Sequence, residues 1–251
     1  MSTPFDLTGR TAVVTGGGRG LGLGISQALL EAGADVIVFG RNPIPAELTE
    51  HAAALGLTAD FVALDLADSE AITAACRQVL ATHRVDILVN NAGTQDRYPA
   101  IDFPLEAWDT VLDVNLRAVF QLCQLFGRPM LGRGEGKIVN LASLLSFQGG
   151  MTVPAYAASK GAVAQLTKAL CNEWSGRGVN VNAVAPGYMA TAMNTALLAD
   201  PVRMEQLSTR IPAGRWGQPQ DIGNVVVFLA SPAAGYVHGQ VLAVDGGWMA
   251  R

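Results

Sequence analysis

TAVVTGGGRGLGLG, residues 11–24, is the stretch that decides the fold. A short run of strand character leads directly into a glycine-rich turn, and a helical pattern follows. Gly16, Gly20 and Gly22 form the spacing G-x-x-x-G-x-G, which lets the backbone turn tightly and approach a pyrophosphate at a helix N-terminus. Because strand, turn and helix occur together here, the stretch predicts a dinucleotide-binding βα unit.

The alternation continues along the rest of the chain. Apolar segments rich in Val and Ile are separated by longer stretches of helical character, such as 21–33, 69–83 and 155–174. The apolar segments lack a polar face, which is typical of parallel strands covered by helices on both sides. We therefore expect one α/β domain over residues 1–251 with right-handed crossovers. The strand candidates are 11–15, 35–39, 60–64, 86–90, 137–141, 179–185 and 240–244.

Bulk properties exclude several classes of protein. Half of the 251 residues are hydrophobic, yet no apolar run approaches the roughly 18 residues of a membrane span. The opening MSTPFDLTGR lacks the pattern of a signal peptide, and the three cysteines lack close Cys or His partners for a metal. A net charge of −4 argues against a nucleic-acid partner. We expect a soluble cytoplasmic protein.

The longest break in the pattern is roughly 186–218, PGYMATAMNTALLADPVRMEQLSTRIPAGRWGQ, which fits no strand. Ligands of such folds bind outside the carboxyl ends of the strands, and long irregular segments there often cover the site. We expect a partly helical substrate lid; an ordered surface loop is the alternative.

The end of the second predicted strand distinguishes the two nicotinamide dinucleotides. A carboxylate there accepts hydrogen bonds from the adenosine ribose and repels a 2′-phosphate. This chain has Gly40 at that position and Arg41 beside it, and Arg19 in the glycine loop adds a second guanidinium. Two cations without a carboxylate favour NADP(H). NAD(H) remains the alternative if Arg41 stacks on adenine or faces solvent.

Tyr156 and Lys160 lie four residues apart in a helical pattern, which places them on one face about 6 Å apart along the axis. A lysine ammonium in a site shielded from water would lower the pKa of the phenol, so that the tyrosine could exchange a proton with an alcohol or carbonyl. Ser143 could hydrogen-bond the same substrate oxygen, or it could be a helix cap. The alternatives for the pair are a solvated face and core packing.

Other polar residues fall at the same predicted edge of the sheet. Asn115 lies in a helical run where asparagine is not favoured, so it either binds a relay water beside Lys160 or satisfies a buried carbonyl. NNAG (90–93) is a turn signal at the end of the fourth strand. Asp65 either accepts a hydrogen bond from adenine or caps the next helix.

These motifs resemble the short-chain dehydrogenase/reductase family in family order over essentially the whole chain. The resemblance implies a doubly wound, seven-stranded Rossmann fold, an NAD(P)-dependent oxidoreductase acting on CH–OH groups, a homotetramer, and no metal in catalysis. It implies that Tyr156 is the acid/base and that Lys160 holds the nicotinamide ribose and lowers the tyrosine pKa. Ser143 would orient the carbonyl and Asn115 the relay water. The implied cofactor-binding residues are Gly16, Arg19, Gly20, Leu21, Gly22, Arg41, Asp65, Leu66, Asn91, Ala92, Gly93, Tyr156, Lys160, Pro186, Gly187 and Thr191.

Longer stretches, among them LASLLSFQGG (141–150) and RIPAGRWG (210–217), resemble the sugar-acid dehydrogenases of that family. A secondary alcohol or ketone of a deoxy-gluconate is then the expected substrate, with Arg97 a candidate for its carboxylate and Gln148 for a hydroxyl. Solvated loop roles are the alternatives for both. A 3-oxoacyl-carrier-protein reductase, a general polyol or ketone reductase and a catalytically silent NAD(P)-binding protein remain alternative functions.

Overall fold

A computed structural model describes residues 3–191 and 201–251, without the side chains of 201–203. The protein is built on one all-parallel sheet. Its strands in chain order are β1 (Thr11–Thr15), β2 (Asp35–Gly40), β3 (Ala59–Ala63), β4 (Ile87–Asn90), β5 (Gly136–Leu141), β6 (Val179–Pro186) and β7 (Val241–Val244). All seven predicted strands are confirmed.

The sheet order is β3-β2-β1-β4-β5-β6-β7. The chain builds outward from β1 to β3 and then returns to place β4 on the other side of β1. In register, Val13 pairs with Ile37 on one side and with Leu88 on the other. Such a reversal opens a crevice at the carboxyl ends of β1 and β4, where ligands of doubly wound folds bind.

Helices cover both faces of the sheet, as predicted. The helices are α1 (Gly20–Glu31), α2 (Ala46–Ala54), α3 (Ser69–Thr82), α4 (Leu105–Leu112), α5 (Ala118–Arg133), α6 (Pro154–Trp174), α7 (Pro201–Ser208) and α8 (Pro219–Ala230). Side chains of β1 alternate between two cores: Val14 packs in the core that includes α1 and α8, and Val13 packs in the core that includes α3, α5 and α6. A π-helical turn, Asp113–Arg117, joins α4 to α5.

Helix α1 crosses α8 at very short range, and two glycines allow this crossing. A Cβ on Gly223 would lie 2.6 Å from the carbonyl oxygen of Gly24, and one on Gly24 would lie 2.5 Å from Cβ of Pro219. Side chains at these positions would push the helices apart. The crossing therefore fixes the N-terminal turn of α1, where the glycine loop ends.

A cluster of charges ties the amino ends of the strands together. Asp86 is 5% exposed and accepts hydrogen bonds from Arg84 Nε at 2.8 Å and from the Thr11 amide at 3.2 Å. Arg10 Nη1 lies 2.8 Å from Glu135 and 3.4 Å from Asp86. The charges at this edge therefore pair with one another, opposite the edge where the glycine loop lies.

The segment 186–218 is only partly within the described residues. Helix α7 lies in this segment, which was expected to be partly helical. Met189 forms an isolated parallel bridge with Gly217. Positions 192–200 of the predicted lid lie outside the described residues. No described helix combines the length and hydropathy needed to cross a membrane.

Candidate active site

The glycine loop has a shape that side chains would block. Gly16 has φ 65°, and its amide donates to the Phe39 carbonyl at 2.7 Å. A Cβ on Gly22 would lie 2.0 Å from the Gly16 carbonyl oxygen. The first turn of α1 contains no acidic residue, and its free amides favour an anion. This loop therefore fits a pyrophosphate.

The NNAG turn packs directly against that loop. Asn91 Nδ2 donates to the Thr15 carbonyl at 2.9 Å, and the Ala92 amide donates to Thr15 Oγ1 at 2.9 Å. The Asn91 side chain is thus bound to protein backbone, and it shapes the loop. Gly93, the last residue of the turn, faces Asn115 and Lys160.

Arg19 and Arg41 lie on two segments that touch. Arg19 immediately precedes α1, and Arg41 follows the last residue of β2. A Cβ on Gly18 would lie 3.4 Å from Cγ2 of Ile44, which shows how close the two segments are. Both arginines are exposed, and neither forms an ion pair with any residue in the described ranges. The two guanidinium groups are available to an added anion.

Asp65 does not cap α3. Asp68 takes that role, with Oδ1 accepting from the amides of Glu70 and Ala71 at 2.9 Å each. Asp65 is exposed, and its Oδ1 accepts from the Ala67 amide at 3.0 Å. The cap alternative for Asp65 is therefore wrong. Leu66 beside it is buried.

Tyr156, Ser143 and Lys160 come together at the carboxyl end of β5. The Ser143 side chain hydrogen-bonds that of Tyr156. Lys160 Nζ lies 5.7 Å from the centroid of the Tyr156 ring and donates to the Leu141 carbonyl at 2.6 Å. Ser143 Oγ also accepts from the Leu145 amide at 3.1 Å, so this serine caps a 3₁₀ turn while it faces the tyrosine.

The protonation of this pair follows from its surroundings. Burial raises the pKa of the Tyr156 phenol above its ordinary value, while the hydrogen bond with Ser143 acts in the opposite direction. Burial lowers the pKa of Lys160 to about 8. The raised pKa of Tyr156 differs from the expectation that Lys160 lowers it. Desolvation raises the tyrosine pKa by more than the hydrogen bond with Ser143 lowers it. Near neutral pH the phenol carries its proton.

Asn115 is fully buried inside the π-helical turn. Its Oδ1 accepts from the Thr94 amide at 2.8 Å, and its Nδ2 donates to the Thr94 carbonyl at 2.9 Å and to Ser159 Oγ at 3.1 Å. Both amide hydrogens are used, so a water could bind only to the remaining lone pair of Oδ1. Turns of this type inside α-helices are frequent at functional sites.

The segment that follows β6, residues 187–191, is called the strip, and it closes the other side of the crevice. The Gly187 amide donates to the Val244 carbonyl at 3.0 Å, and a Cβ on Gly187 would lie 2.6 Å from Cα of Asp245. A Cβ on Gly20 would lie 3.9 Å from Cβ of Thr191, so this strip reaches the glycine loop. Pro186 ends β6 and leads into the strip.

Arg97 and Gln148 are exposed on two neighbouring segments. The Tyr98 amide donates to the Thr152 carbonyl at 3.0 Å and ties these segments together. Thr152 has φ 63°, a left-handed conformation that β-branched residues seldom adopt. Arg97 forms no ion pair within the described part of the chain.

Two serines in the site were missed by sequence reasoning. Ser146 Oγ donates to the Lys160 carbonyl at 2.7 Å and accepts from the Ser143 amide at 3.3 Å. Ser159 bonds Asn115 and the Tyr156 carbonyl. The spacing S-x-x-S from Ser143 is a capping-box signal that could have revealed Ser146. Nothing comparable marks Ser159, which lies in a run of small residues.

A parallel sheet with a glycine loop at its switch point, beside a Ser-Tyr-Lys-Asn cluster, defines an NAD(P)-dependent oxidoreductase that acts on CH–OH groups. The described residues contain no group of three His, Cys, Asp or Glu side chains that could hold a metal. The sequence profile described as Enoyl-(Acyl carrier protein) reductase matches residues 16–249. The chain belongs to the short-chain dehydrogenase/reductase family.

The chain is similar to several relatives over its full length. It is 52% identical over 247 residues to 2-dehydro-3-deoxy-D-gluconate 5-dehydrogenase of Bacillus subtilis (strain 168), covering 98% of this chain and 97% of the relative. It is 41% identical to gluconate 5-dehydrogenase of Gluconobacter oxydans (strain 621H), covering 98% of each. A crystal structure of a gluconate 5-dehydrogenase from Burkholderia cenocepacia J2315, in complex with NADP and tartrate, superposes with a TM-score of 0.93 at 41% identity, covering 99% and 98% of the two chains.

Proposed function

We propose that this protein transfers a hydride between NADP(H) and a secondary alcohol or ketone carbon of a sugar acid, most specifically a deoxy-gluconate. The observation that carries the proposal is the cluster of Ser143, Tyr156 and Lys160 beside Gly93, at the carboxyl end of the sheet. The named activities of its relatives supply the substrate class.

The proton chemistry belongs to Tyr156. In reduction its hydroxyl gives a proton to the carbonyl oxygen; in oxidation its phenolate takes the proton of the alcohol. Ser143 Oγ hydrogen-bonds the same oxygen and orients it. When bound, the nicotinamide supplies or accepts the hydride at the substrate carbon. Lys160 holds the nicotinamide ribose, and Asn115 holds a water that connects Lys160 to solvent.

The cofactor site is assigned to the glycine loop and the segments that line it. The cradle formed by Gly16, Gly20 and Gly22 receives the pyrophosphate, and Arg19 and Arg41 bind the 2′-phosphate of NADP(H). NADP in the crystal structure of a relative supports this choice over NAD(H). The remaining residues assigned to this site are Leu21, Asp65, Leu66, Asn91, Ala92, Gly93, Pro186, Gly187 and Thr191.

The substrate carboxylate is assigned to Arg97, an exposed cation without an ionic partner in the part of the chain that the structure describes. Gln148 on the neighbouring segment hydrogen-bonds a sugar hydroxyl. Tartrate, a hydroxy-dicarboxylate, is bound in the Burkholderia relative and supports a carboxylate-bearing ligand. The segment 186–218 acts as the lid over this substrate.

The oligomeric state and the cellular compartment are also part of the proposal. The protein forms a homotetramer, supported by the 41% exposed Phe120 on α5 and the fully exposed Tyr236 ahead of β7. It works in the cytoplasm, since Cys76, Cys123 and Cys171 are all free thiols. Analytical ultracentrifugation tests the tetramer directly; a monomer at micromolar concentration would contradict it.

The test of the proposed function is a substrate panel. NADP and NAD are each incubated with the enzyme and gluconate, deoxy-gluconates, polyols, simple secondary alcohols or 3-hydroxyacyl thioesters, and reduction is followed at the nicotinamide absorbance band. We expect turnover with sugar acids and NADP. Arg97→Gln should raise KM for sugar acids but not for uncharged polyols. Activity confined to acyl thioesters would replace this proposal with an acyl-carrier reductase.

A further inference from the structure

Thr152 has a backbone conformation that its side chain disfavours. Its φ of 63° is left-handed, and no other residue except glycine has a positive φ in residues 3–191 and 201–251. For a residue with a Cβ this conformation is less favourable than a right-handed one by a factor of roughly 5–30, and a β-branched side chain makes it rarer still. Strain of this kind persists only where the surrounding structure holds it, and it is concentrated at functional sites. The contacts of Thr152 therefore indicate what the strain maintains.

The Thr152 carbonyl joins the segment that carries Arg97 to the loop before α6. It accepts a hydrogen bond from the Tyr98 amide at 3.0 Å. Among the described residues, this is the single hydrogen bond that residues 95–98 form. The Tyr98 ring also packs edge-on against Phe103, with 5.4 Å between the ring centroids. The link between the Arg97 segment and the loop therefore depends on where Thr152 points its carbonyl.

That loop is continuous with the helix of the acid/base residue. Helix α6 begins at Pro154, two residues after Thr152. Tyr156 lies in its first turn, and Gln148 lies four residues before Thr152. One hydrogen bond therefore ties Arg97 to the part of the chain that carries Gln148 and Tyr156.

Local contacts keep the turn left-handed. The Thr152 hydroxyl donates to the Met151 carbonyl at 2.6 Å, a bond that a valine could not make. The chain is packed down on either side of Thr152: Val153 is 3% exposed, and a Cβ on Gly150 would lie 2.7 Å from side-chain carbons of both Leu145 and Val153. The backbone at Thr152 is thus held from both directions while its carbonyl reaches the neighbouring segment.

We propose that Thr152 is a positioning residue for the substrate: its left-handed backbone keeps Arg97 and Gln148 at a fixed spacing from the proton donor. The proposal rests on the proposed function, which assigns the substrate carboxylate to Arg97 and a hydroxyl to Gln148. A relaxed Thr152 backbone turns its carbonyl away from Tyr98, and substrate binding must then restore the turn. The conformation at Thr152 therefore acts on KM for sugar acids and leaves proton transfer from Tyr156 unchanged.

Four substitutions at Thr152 separate the backbone conformation from the side chain. Thr152→Gly and Thr152→Asn should keep the wild-type KM for sugar acids, because both new residues adopt a left-handed φ readily. Thr152→Val keeps the shape of the side chain but loses the hydroxyl bond, and it should raise this KM by about 2–10-fold. Thr152→Pro fixes φ at about −65° and removes no hydrogen bond, because the Thr152 amide donates to no described residue. It should raise KM by about tenfold or more.

Two further measurements distinguish positioning from a general loss of structure. In all four variants kcat and the dissociation constant of NADPH should stay within about twofold of the wild type, since the change affects substrate binding alone. Hydrogen exchange of the Tyr98 amide, followed by mass spectrometry on the peptide that contains it, should be faster in Thr152→Val and Thr152→Pro. It should be unchanged in Thr152→Gly, which keeps the turn.

Thr110→Val is the matched control. Thr110 is exposed on α4, and its hydroxyl donates to the Glu106 carbonyl at 2.8 Å. This variant therefore also loses one bond from a threonine hydroxyl to the backbone, but at a residue with ordinary helical geometry. Its KM, kcat and Tyr98 exchange should all stay at the wild-type values.

Three results would each overturn the inference: a wild-type KM in both Thr152→Val and Thr152→Pro, a KM raised as much by Thr152→Gly as by Thr152→Pro, or a loss confined to kcat. If Thr152→Pro does not fold, the contrast of the Val variant with the Gly and Asn variants decides. A wild-type protein that turns over no substrate of the panel overturns the proposed function instead. In that case Tyr98 exchange alone decides whether Thr152 holds the two segments together.

Discussion

Gly40→Asp is the substitution that most sharply tests how the protein selects its dinucleotide. Gly40 ends β2 without a positive φ, and a Cβ there would meet only Cε2 of Phe61, at 3.9 Å. A side chain therefore fits without strain. The new carboxylate would stand beside Arg41, where the adenosine ribose of a dinucleotide is expected.

The magnitude follows from the charges involved. Two unit charges about 5 Å apart repel by about 1–3 kcal/mol at effective dielectric constants between those of a protein surface and water. This repulsion weakens the binding of NADPH. Hydrogen bonds from the ribose diol of NADH to the carboxylate strengthen the binding of NADH by about 1.5–3 kcal/mol, so both effects favour NADH. Together they should shift the ratio of the NADPH and NADH dissociation constants by roughly 10² to 10⁴ towards NADH.

The assay is a fluorescence titration of each reduced dinucleotide at fixed ionic strength. Gly40→Ala is the control, since it adds the Cβ without the charge and should keep the wild-type ratio. Arg41→Ala should weaken NADPH by about 10–100-fold and leave NADH nearly unchanged. A Gly40→Asp protein with the wild-type ratio would show that position 40 does not face the ribose, and the assignment of Arg41 would be wrong.

Three further predictions concern protonation and backbone shape. Lys160→Met should be more stable than the wild type at pH 7 by up to about 3 kcal/mol, because a lysine pKa lowered to about 8 penalises the charged form in the folded protein. In chemical denaturation, the difference in the free energy of unfolding between the two proteins should close as pH rises from about 8 to 10.5, since the folded wild type has already released its proton there. A difference that stays constant with pH would contradict the lowered pKa of Lys160. Oxidation should speed up and reduction slow down as pH rises above neutral, because burial keeps the Tyr156 phenol protonated; pH profiles of kcat in both directions measure this, and a flat pair of profiles would be inconsistent with it. Gly22→Ala places a Cβ 2.0 Å from the Gly16 carbonyl oxygen and should abolish cofactor binding or unfold the protein. Gly132→Ala in α5 is the control: its Cβ would have nothing within 4 Å, and the change should add about 0.5–1 kcal/mol of stability. Thermal melts and cofactor titrations distinguish the two variants, and equal behaviour would refute the close packing of the glycine loop.

The strands and the glycine loop could be predicted because local pattern decides them. Residues 11–15 were predicted as a strand and form β1 with the same bounds, since a continuous apolar run bounded by glycine has few alternatives. The pair Tyr156 and Lys160 was equally accessible, because helical periodicity alone puts both residues on one face.

The surroundings of Asn115 could not be predicted in this way. Its partners Thr94 and Ser159 are 21 and 44 residues away in sequence, and they bond it inside the π-helical turn. Similarly, either Asp65 or Asp68 could have capped α3, and only the position of the first helical turn decides for Asp68. The raised tyrosine pKa depends on burial, which no spacing in the sequence measures.

The central claim is that the Tyr156 hydroxyl transfers the proton, and Tyr156→Phe tests it most directly because it removes one oxygen atom from a half-buried ring. Single-turnover kinetics and NADPH titration on the same preparation should show a loss in rate of roughly 10²–10⁴-fold with cofactor affinity almost unchanged. A rate within about tenfold of the wild type would contradict the claim and move the acid/base role to another group.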